Sequence, residues 1–219
     1  MVNYNTQRTV FVMNCCEYLR KGMQEVFKPY SINFRFVKSI EEVNICSNDI
    51  ITVMLALDLS CNDSLIFFKQ CIDFLNQINS RKKIGVLLNK NNLCLSYYIY
   101  KKLKGKVTFF NTHQICSGQF QRNVLSWLNG KTSSPMRVIS RLQHNRYGLS
   151  LNEWISIIIP LSGESMQEIS SCLKISVHTL YQNRKNALKK MNVCSYRKFC
   201  EQCINGEIHI GNDIFKQRI

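Results

Sequence analysis

The chain has 219 residues, 29 Lys and Arg against 14 Asp and Glu for a formal charge of +15, and 45% hydrophobic residues. That content supplies the cores of one or two domains and excludes disorder as the main state. Apolar runs such as Ile50 to Leu59 and Ile155 to Leu161 are far shorter than the ~20 residues of a membrane span. Met1 to Arg8 lacks the apolar stretch of a secretory signal, so a cytoplasmic location without a membrane partner is expected.

The first part alternates strand and helix patterns. Val10 to Met13 predicts a strand, and Glu17 to Phe27 a helix whose Leu19, Met23 and Phe27 recur every four residues. Strands are then predicted at Asn33 to Val37, Ile50 to Leu57, Ile84 to Leu88 and Lys106 to Phe110. Helices are predicted at Ser64 to Gln77, Leu93 to Leu103 and Gly118 to Leu128. Five strands in β-α alternation imply a parallel sheet covered on both faces, although only a short helical turn follows Val37.

Asn129 to Pro135 concentrates Gly, Ser, Thr and Pro and marks the main boundary. The expected division is an α/β domain at 1–129, a linker at 130–148, a helical domain at 149–204 and a tail at 205–219. In the helical part Ser150 caps a helix to about Ser162, which Pro160 bends or shortens and Gly163 stops. Ser165 caps the second helix through Leu173, with Glu168 completing a capping box. Ser176 caps the third through Met191, and Asn192 takes the left-handed position after it. Ser195 starts a fourth helix to about Cys203. The tail is legible only as a turn at Asn205-Gly206.

Charge separates these parts further. The first 130 residues carry 16 basic and 8 acidic groups and the remaining 89 carry 13 and 6. No acidic residue lies between Glu168 and Glu201, where Lys174, Arg184, Lys185, Lys189, Lys190, Arg197 and Lys198 all fall. Such a block suits a polyanion partner. The eleven cysteines show no disulfide framework and read mostly as small buried residues of a reducing compartment. Cys200 and Cys203 form the one CxxC, with His209 near but no second ligand pair, so no metal is expected. There is no glycine-rich phosphate loop, and His113, His144, His178 and His209 pair with no carboxylate at a motif spacing. Neither a cofactor nor an enzyme activity is expected.

The second and third helices, joined by a short turn, have the form of a helix-turn-helix whose second helix enters the DNA major groove. On that helix Val177, Leu180, Ala187, Leu188 and Met191 share the inward face, and His178, Tyr181, Gln182, Lys185 and Lys189 the outward one. The outward set mixes groups suited to base edges with groups suited to phosphates.

Leu149-Ser150, Glu153, Gly163, Ser165, Glu168-Ile169, Leu173, Ile175-Ser176, Thr179-Leu180, Lys190-Met191 and Val193 resemble the LuxR/NarL-type DNA-binding domain without a gap. The chain departs from that pattern at Pro160, Tyr181, Asn183 and Asn192. The resemblance puts DNA contacts at Tyr181, Gln182 and Lys185 and gives the fourth helix a role in dimerisation. The full candidate DNA-binding set is His178, Thr179, Tyr181, Gln182, Lys185 and Lys189, with Ser165, Lys174 and Arg184.

The strand order of the first part is similar to the receiver domains that precede such DNA-binding domains, a flavodoxin-like fold. A working receiver needs an acidic pair for Mg²⁺, an aspartate phosphoacceptor, a hydroxyl and a lysine to neutralise the phosphoryl charge. Here Asn14 and Cys15 replace the acidic pair, and Leu88 and Phe110 the hydroxyl and lysine. Only Asp58 remains, as a vestigial phosphoacceptor position better suited to a loop or capping carboxylate.

That pattern, with Met13 to Tyr18 and the tail from Gly206 to Arg218, resembles the RcsA-type auxiliary regulators of capsule synthesis. The resemblance implies a phosphorylation-independent activator of capsule or other surface and virulence genes, bound to promoter DNA as a heterodimer with an RcsB-type response regulator. A homodimer and contact with RNA polymerase are the further partner expectations. Two other readings stand beside it: a response regulator switched by phosphorylation of Asp58, and a protein–protein adaptor of the transcription machinery.

Overall fold

The computed structural model describes residues 8–13, 16–38, 42, 50–57, 62–77, 82–88, 93–131, 147–211 and 214–217. Strand β1 (Arg8–Met13) is followed by α1 (Glu17–Phe27), β2 (Ile32–Val37), β3 (Ile51–Ala56), α2 (Asn62–Gln77), β4 (Lys82–Leu88), α3 (Leu93–Lys102), β5 (Thr108–Asn111) and α4 (Gln119–Leu128). The five strands are parallel in the order β2-β1-β3-β4-β5, the flavodoxin-like arrangement. The predicted ends move by no more than two residues, and a 3-10 turn at Thr112–Ser117 joins β5 to α4.

Strand alternation divides the core. Val10, Val12, Met54, Ala56 and Leu87 face α1 and α4, where they meet Met23, Phe27, Phe120, Val124 and Trp127. Phe11, Met13, Val53, Leu55, Val86 and Leu88 face α2 and α3 on the other side. A parallel sheet buried on both faces requires these near-continuous apolar runs. Full burial of each Val or Leu contributes roughly 1.5–3 kcal/mol. Gly85 leaves room for aromatic packing: a Cβ there would lie 2.9 Å from Phe110 and 3.2 Å from Trp127.

The second part begins with α5 (Leu151–Ile158), continues as a 3-10 turn at Ile159–Ser162 and leads to α6 (Met166–Leu173), α7 (Val177–Lys190) and α8 (Tyr196–Ile204). Pro160, near the start of the 3-10 turn, has no N–H with which to continue α5, and Gly163 ends the turn at φ 88°. After α8 the chain forms an antiparallel hairpin, β6 (Ile208–Gly211) with β7 (Ile214–Gln217). It falls in the tail, where the sequence is legible only as a turn at Asn205-Gly206. The hairpin's four-residue strands are too short to show a period, and Ile208 is anchored in the core.

One apolar cluster runs from the sheet through α2 and α3 into the helical part, joining Leu65, Phe68 and Tyr98 with Trp154, Ile158 and Ile159. Polar groups close the seam. Buried Glu164 accepts from the Tyr98 hydroxyl and lies 2.8 Å from Lys102 Nζ. Lys69 Nζ lies 2.6 Å from Asp73 and 3.9 Å from Glu168. The helical part is thus packed on the α2–α3 face of the sheet, opposite α1 and α4.

Candidate nucleic-acid interface

Local capping fixes the two helices of the site. Ser165 Oγ accepts from the Glu168 N–H at 3.2 Å while the Ser165 N–H donates to Glu168 Oε2 at 2.7 Å. The same box operates at Ser150 and Glu153, where the sequence predicts the Ser150 cap without the box. Lys174 caps α6 in the left-handed conformation, φ 57°, and Ser170 Oγ donates to the Ile175 carbonyl across the turn. Ser176 Oγ then accepts from the Thr179 N–H and meets Thr179 Oγ1 at 2.7 Å. The three-residue turn Lys174 to Ser176 makes α6 and α7 a helix-turn-helix in its connection.

Helix α7 is held at both ends. Leu180, Ala187 and Leu188 are buried, and Val177 is partly buried against the same core. At its C-terminus the Asn192 N–H donates to the Lys189 carbonyl and the Val193 N–H to that of Leu188, with Asn192 at φ 58°. This is a Schellman close, with Leu188 and Val193 both buried in the same apolar cluster. Lys190 Nζ bonds Glu153 Oε2 at 2.8 Å and the Gly148 carbonyl at 3.0 Å. Glu153 therefore caps α5 and ties down the end of α7 together.

His178, Thr179, Tyr181, Gln182, Lys185 and Lys189 are all exposed, with Tyr181 at 51%. From His178 to Lys189 this row extends about 16 Å along the helix at 1.5 Å per residue. Gln182 Nε2 donates to Asn186 Oδ1 at 3.1 Å, a bond between exposed side chains. Ser165 and Lys174 are exposed as well.

Arg184 is different. Its Nε donates to the Ser156 carbonyl at 3.1 Å, its guanidinium lies 3.9 Å over the Tyr196 ring, and a second nitrogen lies 2.8 Å from Met166 Sδ. Burial pulls its pKa below the usual arginine value, opposed by Tyr196 and Tyr181. Its charge is spent joining α7 to α5, α6 and α8. The helical period could have shown this, because Arg184 lies between buried Leu180 and Leu188 at intervals of four.

Asn14, Cys15 and Asp58 lie outside the described residues. Leu88 ends β4 fully buried, and Phe110 in β5 is fully buried against Phe120 and Trp127. Buried Leu and Phe side chains present neither a hydroxyl nor an ammonium at these two positions. Among the described residues no group of three His, Cys, Asp or Glu could hold a metal. Cys203 is buried, with its thiol pushed up to about 12 by burial, and Cys200 is half-buried. Cys71 is buried and Cys172 half-buried, but Cys16 and Cys194 are exposed and depart from the buried expectation. Among the described residues no helix is long and apolar enough to cross a membrane.

No protein-family model and no curated protein sequence matches the chain. Among solved structures it is similar to the RcsB response regulator of Salmonella typhimurium, 15% identical, with 86% of this chain and 92% of that one covered at a TM-score of 0.48. It is also similar to RcsB in a complex with DNA, at 17% identity, 90% and 97% coverage and a TM-score of 0.44. A third is the response regulator ChrA of a heme-sensing two-component system, at 12%, 91% and 97%, and 0.38. Among the described residues the architecture is a five-stranded flavodoxin-like α/β unit followed by four α-helices and a two-stranded hairpin.

Proposed function

We propose that the chain is a sequence-specific transcription regulator that inserts α7 into the DNA major groove. The observation that carries this reading is the exposed row from His178 to Lys189 on a helix locked to its core at both ends, with no carboxylate of its own. Gln182 suits an adenine edge and Lys185 a guanine edge or phosphate. Lys189, Lys174, Ser165 and Thr179 suit backbone phosphates, while His178 and Tyr181 flank them on the same face. Arg184 supports the interface by orienting α7.

The resemblance to RcsA-type auxiliary regulators supports a finer reading. The chain acts without phosphorylation as an activator of capsule or other surface and virulence genes, in a heterodimer with an RcsB-type response regulator. The buried Leu88 and Phe110 favour loss of phosphorylation chemistry over a switch at Asp58.

Mobility shift of capsule-promoter DNA at ~150 mM salt, where non-specific binding is weak, tests it with and without the RcsB-type regulator. A specific complex formed only with both proteins is the expected result. A specific complex with this chain alone would replace the heterodimer with a homodimer. No specific complex in either arm would refute the DNA reading.

A further inference from the structure

We propose that the α/β part binds DNA too: Lys101 and Lys104, at the end of α3, hold backbone phosphates of the duplex that α7 reads. This rests on the reading of α7 given above. Packing of the helical part on the sheet creates a cleft of about 570 Å³ between α3 and α6, lined by Lys101, Lys102 and Lys104 on one side and Glu168, Cys172 and Lys174 on the other.

Two of these charges are already engaged. Lys102 is bound to Glu164 at 2.8 Å and lies 4.0 Å from Asp73. Glu168 closes the cap at Ser165 and lies 3.9 Å from Lys69. Lys101, Lys104 and Lys174 are exposed and form no ion pair among the described residues; Lys101 Nζ lies 5.5 Å over the Tyr97 ring. Each complements the C-terminal dipole of its own helix. The seam, however, brings two helix ends together and leaves three ammonium groups beside one committed carboxylate.

The backbone keeps the α3 lysines in place. Lys104 and Gly105 are both left-handed, at φ 50° and 75°, and the Gly105 N–H donates to the Tyr100 carbonyl at 2.8 Å. Lys174 is two residues before Ser176, the cap of α7, so the cleft reaches the turn that introduces the reading helix. In helix-turn-helix docking the helix before the reading helix crosses the DNA backbone. A small anion would need convergent, preorganised donors, whereas the available cations here are exposed and on flexible stems. A polyanion gains from such charges by counterion release.

The test uses the full chain and a labelled capsule-promoter duplex, with the RcsB-type regulator present if the complex requires it. Affinity is measured across a salt series for wild type, for Lys101→Ala/Lys104→Ala and for Lys21→Ala/Lys28→Ala. The last variant removes equal charge from α1 and its C-cap, on the opposite face of the sheet. Loss of two phosphate contacts lowers the steepness of log K against log[salt] by about 1.8. The α3 variant should show this change with unaltered discrimination against a shuffled duplex, Lys101→Arg/Lys104→Arg should restore it, and the α1 variant should keep the wild-type slope. Equal slopes in the α3 and α1 variants, with specific binding by wild type, would overturn this inference alone. Absence of specific binding by wild type would overturn the α7 reading and this inference with it.

Discussion

The Tyr98 hydroxyl donates a hydrogen bond to the Glu164 carboxylate, joining α3 of the α/β part to the residue before the cap of α6. Glu164 is 5% exposed and Tyr98 is 1% exposed. A carboxylate in such a place is stable only when its oxygens are bonded, and Lys102 serves the other oxygen at 2.8 Å. The seam therefore has a polar lock at its rim and an apolar core behind it.

Lys102→Met removes the one cation that, among the described residues, lies within bonding distance of the buried Glu164 charge, and should cost about 3–5 kcal/mol. Tyr98→Phe should cost about 1–3 kcal/mol, because Lys102 still holds Glu164. Urea unfolding reads both, and the double variant should be non-additive because the two groups share Glu164. Burial and then the Glu164 charge hold the Tyr98 hydroxyl well above the usual tyrosine range. The unfolded chain loses that proton near pH ~10 while the folded chain keeps it. This stabilisation is complete below that pH and lost as pH rises further, so the gap between wild type and Tyr98→Phe should narrow in alkali. A constant gap would show that Tyr98 does not titrate differently on folding.

Legibility followed the range of the interactions. Ser165, Ser176 and Ser195 signal their helices because each accepts from the N–H three residues on, a bond encoded within one turn. Asn192 was readable as the left-handed stop for the same reason. Glu164 and Lys102 are 62 residues apart, and nothing beside either residue shows that they meet. The exposed row of α7 follows from its period; charge alone groups Arg184 with Lys185, although the same period turns Arg184 inward. The seam, and the cleft it creates, came from tertiary packing alone.

The Ser165 cap gives a prediction in acid. Ser165→Ala should lower stability by about 1 kcal/mol through loss of one capping bond. The Ser165 backbone N–H, then its side chain and the Lys69 and Lys102 charges, hold the Glu168 carboxyl below the usual range against the opposing effect of burial. Its contribution is complete above the unfolded carboxylate value of ~4.3 and lost as pH falls through the lower folded value. Thermal melts should therefore show Glu168→Gln less stable than wild type at neutral pH, with the difference closing in acid. A difference that widens in acid would contradict this sign.

The proposed independence from phosphorylation is tested by mass. Incubation with a small-molecule phosphodonor and Mg²⁺ should leave the intact mass unchanged, since Leu88 and Phe110 offer no group to neutralise the phosphoryl charge. A stoichiometric adduct abolished by Asp58→Asn would reinstate the phosphorylation switch.

Neighbours Arg184 and Lys185 should separate stability from recognition. Arg184→Ala removes the stack on Tyr196 and leaves the Ser156 carbonyl without that donor, for a cost of about 1–3 kcal/mol. Lys at this position lacks the planar fork and should recover little. Lys185→Ala and Gln182→Ala touch only the exposed face, so unfolding should shift by about 0.5 kcal/mol or less. If either side chain reads a base, its loss should reduce discrimination by roughly 1–3 kcal/mol. Urea melts and duplex competition on the same preparations measure the two effects side by side. Unchanged discrimination in both exposed variants would remove them from base readout, and a stable Arg184→Ala would move Arg184 from the framework back to the DNA face.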